Sequence, residues 1–255
     1  MKDNKYTEIS DWLKDYLETS GMQCFVIGVS GGIDSAVAST LAAMTGVKTL
    51  VVNIPIQSTD KNTSLSSEHC EWLCSEFDNV ESLHIEATSA YTSFEQCMNL
   101  HGFKNDLSKA NSKSRMRMMV LYYIASASRG LVVGTGNKVE DFGVGFYTKY
   151  GDGGVDISPL ADLTKTQVRK IARSLDISQN ILNAPPTDGL WEDSRSDEDQ
   201  IGASYEELEW AMDYIDNSRV TATTDREKEV LKIFKSFRNQ NKHKMVEIPV
   251  YKMEK

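Results

Sequence analysis

No apolar run in this 255-residue chain is longer than a strand needs. A membrane-spanning helix takes about 20 consecutive apolar residues, so none is expected here. The N-terminus, Met1-Lys-Asp-Asn-Lys-Tyr, leads into an acidic amphipathic helix and lacks the apolar centre of a signal peptide. Cysteine and histidine are scarce, at four each. No two cysteines have the spacing of a zinc knuckle or a redox motif: Cys24, Cys97 and the pair Cys70 and Cys74 are scattered, and His69 beside Cys70 has no histidine cluster around it. Reduced thiols and a cytoplasmic location are the expectation. Positive charge is in deficit, 28 Lys and Arg against 37 Asp and Glu, for a net charge of −9. That excludes a nucleic-acid surface built on a broad basic face, but not anionic small molecules held by a local basic patch. Internal repeats, low-complexity tracts and linkers are absent as well. Residues 1–255 therefore read as one domain, long enough to bury a full core.

What is present centres on Phe25-Val-Ile-Gly-Val-Ser-Gly-Gly-Ile-Asp-Ser35. An apolar, β-branched run meets a Ser-Gly-Gly turn, and a helical stretch from Ala36 to Met44 follows at once. This is a buried strand entering a helix through a turn whose glycines leave the backbone uncovered. Free N–H groups at a helix N-terminus bind phosphate. Asp34 and Ser35 stand where a metal ligand and a phosphate-binding hydroxyl are needed. No lysine follows the glycines, so this is not the common loop ending in Gly-Lys-Ser/Thr.

Helices are expected over Tyr6–Thr19, from the Gln57–Ser64 loop to Phe77, and over Ser89–Leu100, Asp106–Ser128, Thr164–Leu175, Ser204–Ile215 and Asp225–Asn239. Further buried strands are expected at Lys48–Ile54, Val80–Glu86 and Gly130–Thr135. Asn183 to Asp199 reads as a long acidic loop, and loops of that length are usually lids or disordered. Strands alternating with helices predict an α/β fold: a doubly wound, Rossmann-like, mostly parallel sheet with helices on both faces. Ligands of such sheets sit at strand C-termini where the strand order reverses.

A second Gly-rich turn, Gly134-Thr-Gly-Asn-Lys-Val-Glu-Asp141, and then Thr148-Lys-Tyr-Gly-Asp-Gly-Gly-Val-Asp156, fall at such a terminus. Carboxylates for Mg²⁺, lysines for phosphate and glycines for close backbone approach are what a polyphosphate site demands. Taken from the residues alone, this supports an ATP-using enzyme and goes no further.

Ser30-Gly-Gly-Ile-Asp-Ser35 resembles the pyrophosphate loop of the ATP pyrophosphatases, the PP-loop superfamily, which split ATP into AMP and pyrophosphate. Lys113-Ser-Arg-Met-Arg117, the Gly134–Glu140 turn, Phe146 to Asp156, Lys165 and Pro185-Pro-Thr-Asp-Gly-Leu-Trp191 are similar to the ammonia-dependent NAD⁺ synthetases. The likeness runs from about Trp12 to Lys244. It implies a five-stranded sheet of the adenine nucleotide alpha-hydrolase type. It also implies ATP-dependent amidation of deamido-NAD⁺ by ammonia through an acyl-adenylate, the last step of NAD⁺ formation, in a homodimer without nucleic-acid or membrane partners.

Carried over by residue, the resemblance makes Gly28, Val29, Ser30, Gly31, Gly32, Ile33, Asp34 and Ser35 the ATP phosphate cradle, with Thr135, Lys165 and Thr187 also on ATP. Asp34 and Glu140 become the Mg²⁺ carboxylates, and Asp34 and Lys165 the catalytic pair. Arg115, Lys149, Asp156, His243 and Lys244 fall to deamido-NAD⁺, the last two closing from a C-terminal tail. The interval from Glu140 to Lys149 is one residue longer than in many members. Only about 24 residues precede the first strand, too few for a glutamine amidase domain, so the implied nitrogen donor is free ammonia, unless a separate amidotransferase subunit supplies it. Two rival readings stand beside this one. The first is another ATP pyrophosphatase, one that amidates a purine or thiolates tRNA, and a tRNA substrate calls for a basic face, which a net charge of −9 disfavours. The second is a nucleotide-binding regulatory protein without catalysis, which would be expected to lack Asp34, Glu140 or Lys165.

Overall fold

A computed structural model describes residues 5–58, 60–187, 189–191, 195–217 and 224–253. Strands β1 (Cys24–Gly28), β2 (Thr49–Asn53), β3 (Val80–His84) and β4 (Gly130–Val132) form an all-parallel sheet in the order β3-β2-β1-β4. The chain runs outward from β1 to β3 and then returns to the other side of β1. The order therefore reverses beside β1, and the turns after β1 and β4 both leave the sheet at its C-terminal edge.

The sheet has four strands among the described residues, not the implied five. Beside β4 a single parallel bridge, Val133 to Ile157, stands where a further strand would extend. Pro159 follows two residues later and has no N–H to continue a ladder.

Successive strand side chains point to opposite faces, which explains why β1 can be apolar throughout. Phe25 and Ile27 pack with Leu13 and Leu17 of α1 (Lys5–Ser20), Val37 and Leu41 of α2 (Ile33–Met44), and Val168 and Ile171 of α6 (Lys165–Ser174). Cys24 and Val26 face the other way, toward Tyr91 of α4 (Thr88–Leu100) and Ala125 of α5 (Asp106–Ser128). Each fully buried aliphatic side chain stabilises the fold by roughly 1.5–3 kcal/mol.

A third cluster sits apart from these two layers. Val139 and Val144 of a π-helical turn (Val139–Val144) pack with Ile201 of α8 (Asp197–Ile201), Tyr205 and Leu208 of α9 (Tyr205–Asn217), and Phe234 of α10 (Asp225–Met245). A π turn takes up one residue more than an α turn. It overlaps the start of the Glu140–Lys149 interval.

Three expectations change in detail. Helix α3 (Asp60–Glu76) starts inside the expected Gln57–Ser64 loop. α10 runs to Met245, because no Gly or Pro interrupts Asn239–Lys244, so His243 and Lys244 sit on its last turn and not in a tail. The 183–199 stretch is closed by α8, whose Ser196 and Asp199 form a capping box. Residues 188 and 192–194 of that stretch, and the Met1–Asn4 start, lie outside the described residues.

Candidate active site

The turn after β1 is braced from within. Ser35 Oγ accepts from Ser30 N at 3.2 Å and donates to the Gly32 carbonyl at 2.9 Å. Gly32 N donates to Ser30 Oγ at 3.3 Å. Gly31 takes φ +86°, the left-handed region that glycine occupies without strain. Gly32 caps α2 but has no side chain to satisfy the first N–H groups. A helix end left in this state presents donors and partial positive charge to an anion. Ser35 is buried and shapes the loop. Val29 is core too: its N–H donates to Val52 O at 2.9 Å and its carbonyl accepts from Ser66 Oγ at 2.7 Å.

The turn after β4 meets this loop. Asn137 Oδ1 accepts from the N–H groups of Val139 and Glu140 at 3.1 and 3.2 Å, starting the π turn. Its Nδ2 donates to Asp34 Oδ1 at 3.3 Å. Lys165, at the start of α6 behind the Thr164–Gln167 capping box, donates to Asp34 Oδ2 at 2.5 Å and to Glu140 Oε1 at 3.0 Å. Only 3% of its side chain is exposed, against 16% for Asp34 and 15% for Glu140.

Burial disfavours the Lys165 charge, but the two carboxylates outweigh it and hold the ammonium protonated. Asp34 rises above the usual carboxylate range because burial dominates, with Glu140 adding to it and Lys165 opposing. Two carboxylates and one ammonium leave a net negative site at the mouth of an anion-binding helix. That donor set suits a hard cation.

Tyr205 completes the group. Its hydroxyl donates to Glu140 Oε1 and lies 3.3 Å from Asp197 Oδ2, while Lys165 Nζ stands 4.5 Å over its ring. Burial, then Glu140 and Asp197, push the phenol pKa far up, so it stays a donor.

A second group is formed by Arg115, Lys149, His243 and Lys244. Arg115 Nε donates to Lys149 O at 3.2 Å, and Lys149 Nζ to His243 O at 3.0 Å. Lys244 Nζ donates to Tyr147 O at 2.6 Å, and Tyr147 OH returns a bond to Lys244 O at 2.5 Å. Asp156 is fixed at the end of β4, where it accepts from Val132 N at 2.8 Å and Tyr122 OH at 2.9 Å.

Asp141 lies between the two groups. Burial first, then the charges of Glu140, Asp152 and Asp34, push its carboxyl up to about 8, with Lys244 opposing. A Cβ on Gly136 would collide with that carboxylate, so the glycine is what lets Asp141 in.

Thr135 follows Gly134, whose N–H donates to Ile157 O at 2.7 Å. Thr187 lies in the segment returning from α7 (Gln179–Leu182), and its Oγ1 accepts from Gly189 N at 3.2 Å. Asn137, Asp141, Tyr147 and Tyr205 escaped assignment. The first three stand in the quoted motifs and are as polar as their assigned neighbours. Tyr205 has no such signal, since it reads as part of an apolar helix stripe.

A separate open hollow on the outer side of α9 and α10, lined by Glu206, Trp210, Arg226 and Val230, shares no residue with the crevice. Its Arg226 is taken by Glu207 at 2.7 Å. The polar groups converge instead on the turns after β1 and β4.

The family model described as NAD synthase matches residues 5–248. An NH(3)-dependent NAD(+) synthetase of Syntrophomonas wolfei is 39% identical over 206 residues, 79% of this chain and 80% of that one. The solved NMN synthetase of Francisella tularensis superposes with a TM-score of 0.87 at 33% identity, covering 99% of both chains. The NH3-dependent NAD synthetase of Campylobacter jejuni, at 23% identity and TM-score 0.80, covers 99% of this chain and 100% of its own and shares the fold.

Proposed function

The chain belongs to the NAD synthase family, and we propose that its crevice amidates deamido-NAD⁺ with ammonia at the expense of ATP, giving NAD⁺, AMP and pyrophosphate. The observation that carries this reading is the Asp34–Lys165–Glu140 group set against the uncapped start of α2.

In this reading the Ser30–Ser35 loop and the first N–H groups of α2 hold the pyrophosphate part of ATP, and Lys165 neutralises it. Thr135 and Thr187 border the nucleotide. Asp34 and Glu140 would hold Mg²⁺. No group of three His, Cys, Asp or Glu side chains among the described residues forms a metal cage, which suits an ion that completes its shell with substrate phosphates and water. Bound there, Mg²⁺ would offset the charge that builds on the departing pyrophosphate. Arg115, Lys149, Asp156, His243 and Lys244 border deamido-NAD⁺. Its nicotinate carboxylate attacks the α-phosphate, and ammonia then displaces AMP from the acyl-adenylate. No protein nucleophile is required; the side chains position and neutralise.

The Francisella tularensis likeness favours a second reading, in which the acceptor is the mononucleotide counterpart. One assay separates the two. Purified protein is given ATP, Mg²⁺ and ammonium with either deamido-NAD⁺ or nicotinate mononucleotide. Equal yields of NAD⁺, AMP and pyrophosphate from the first are expected. Product from the mononucleotide alone selects the second reading, and no amide from either sinks both.

No helix is long and apolar enough to cross a membrane among the described residues. Free cysteines throughout are in keeping with a reducing, cytoplasmic setting. Leu107, Met119 and Tyr123 of α5 are 58%, 59% and 79% exposed. We infer that a second copy covers them, giving a homodimer of single-domain chains. A monomeric mass by sedimentation would refute that.

A further inference from the structure

Tyr205 is fully buried at the first position of α9, and its backbone N–H donates to Glu198 Oε1 at 2.9 Å. Backbone and ring are thus fixed independently of any ligand. From that position its hydroxyl and Lys165 Nζ donate to the same oxygen, Oε1 of Glu140. The second oxygen of Glu140 has no hydrogen-bond partner among the described residues. Two donors on one oxygen fix the carboxylate plane and leave the other oxygen available. The same ring lies under the Lys165 ammonium and occupies the side from which water would otherwise solvate it. The hydroxyl also lies near Asp197, whose backbone N–H donates to Pro186 O at 3.0 Å, one residue from Thr187.

We propose that Tyr205 is a positioning residue for the reaction. It holds Glu140 in the orientation a divalent cation requires, keeps Lys165 between the two carboxylates, and joins both to the segment that carries Thr187. The proposal rests on the reading of Glu140 as a cation carboxylate. Partners that orient metal-ligating carboxylates by hydrogen bonding typically change metal affinity by about 10–100-fold when removed.

The test is direct Mn²⁺ titration, followed by electron paramagnetic resonance, of the whole protein with α,β-methylene-ATP, well below the unfolding temperature. Wild type, Tyr205→Phe, Glu140→Gln and the double variant are compared. Tyr205→Phe keeps the ring, its packing and its contact with Lys165, and removes only the hydroxyl. About tenfold weaker Mn²⁺ binding at unchanged stoichiometry is expected. The double variant is expected to bind no more weakly than Glu140→Gln alone. A purely structural role would lower the number of sites and leave their affinity unchanged, and that result overturns the proposal. So does wild-type affinity in Tyr205→Phe when Glu140→Gln has lost the ion. If Glu140→Gln binds Mn²⁺ as wild type does, the reading of Glu140 falls too, and the proposal with it.

Discussion

Lys165 donates to Asp34 at 2.5 Å across 131 residues of sequence. The lysine missing behind Gly31 and Gly32 is therefore supplied from the start of α6. In the common nucleotide loop that charge arrives from the next residue. Here it arrives by folding, and it depends on α6 packing against α2 through Val168 and Ile171.

Replacing Lys165 by Met leaves Asp34 and Glu140 facing each other with no cation between them. We expect kcat for NAD⁺ formation to fall by about 10²–10³-fold, the scale of losing one preorganised charge donor. The melting temperature should fall as well, since a buried pair stripped of one member is strongly destabilising. Millimolar Mg²⁺ should restore part of it. Steady-state assays and melts with and without Mg²⁺ check both statements, and unaltered turnover would remove Lys165 from the site.

Asp141 gives a pH signature. Its folded-state carboxyl is pushed from 3.8 up to about 8. Between those values the folded chain binds more protons than the unfolded one, so stability declines as pH rises toward 8. Asp141→Asn removes that decline. The variant should melt higher than wild type at pH 9 without Mg²⁺, and the gain should shrink toward pH 5. Equal gains at both pH values would contradict this origin.

His69 has the opposite slope. Buried against Ala36 O and Ser39 Oγ, with Nδ1 unpartnered, it is lowered from 6.5 to about 4, chiefly by desolvation. Only the unfolded chain takes up a proton there between pH 6.5 and 4, so stability falls as pH drops through that window. The loss is of order 3 kcal/mol at most, at about 1.4 kcal/mol per pKa unit. Melting curves of His69→Gln should start lower at neutral pH and slope less toward pH 4.

Gly31→Ala tests the loop. An L-residue at φ +86° carries roughly 1–2 kcal/mol of backbone strain. The KM for ATP should rise by about tenfold with a smaller change in kcat. A KM unchanged from wild type would show that the loop geometry does not matter for ATP.

The Ser30–Ser35 loop was legible in the sequence because its chemistry is contiguous: strand, glycines, acid and hydroxyl follow one another. Helix faces and parallel strands were legible from periodicity. Among the described residues the implied fifth strand is not formed, because Ile157 makes one bridge before Pro159 removes a donor. The π turn leaves no trace in periodicity, since one added residue merely rotates the side chains that follow. Tyr205 was hidden for a different reason. Its ring obeys the apolar stripe of α9, and only tertiary packing brings its hydroxyl to Glu140.

The crevice also has a place in time. Its glycine loop is synthesised well before its partners: Asn137 meets Asp34 across 103 residues and Tyr205 meets Glu140 across 65. A nascent chain that has emerged only through β4 carries the loop without the lysine or the second carboxylate. Ligand binding stabilises only the state that holds the ligand. ATP can therefore favour the finished fold, but offers little to the half-made chain that leads to it.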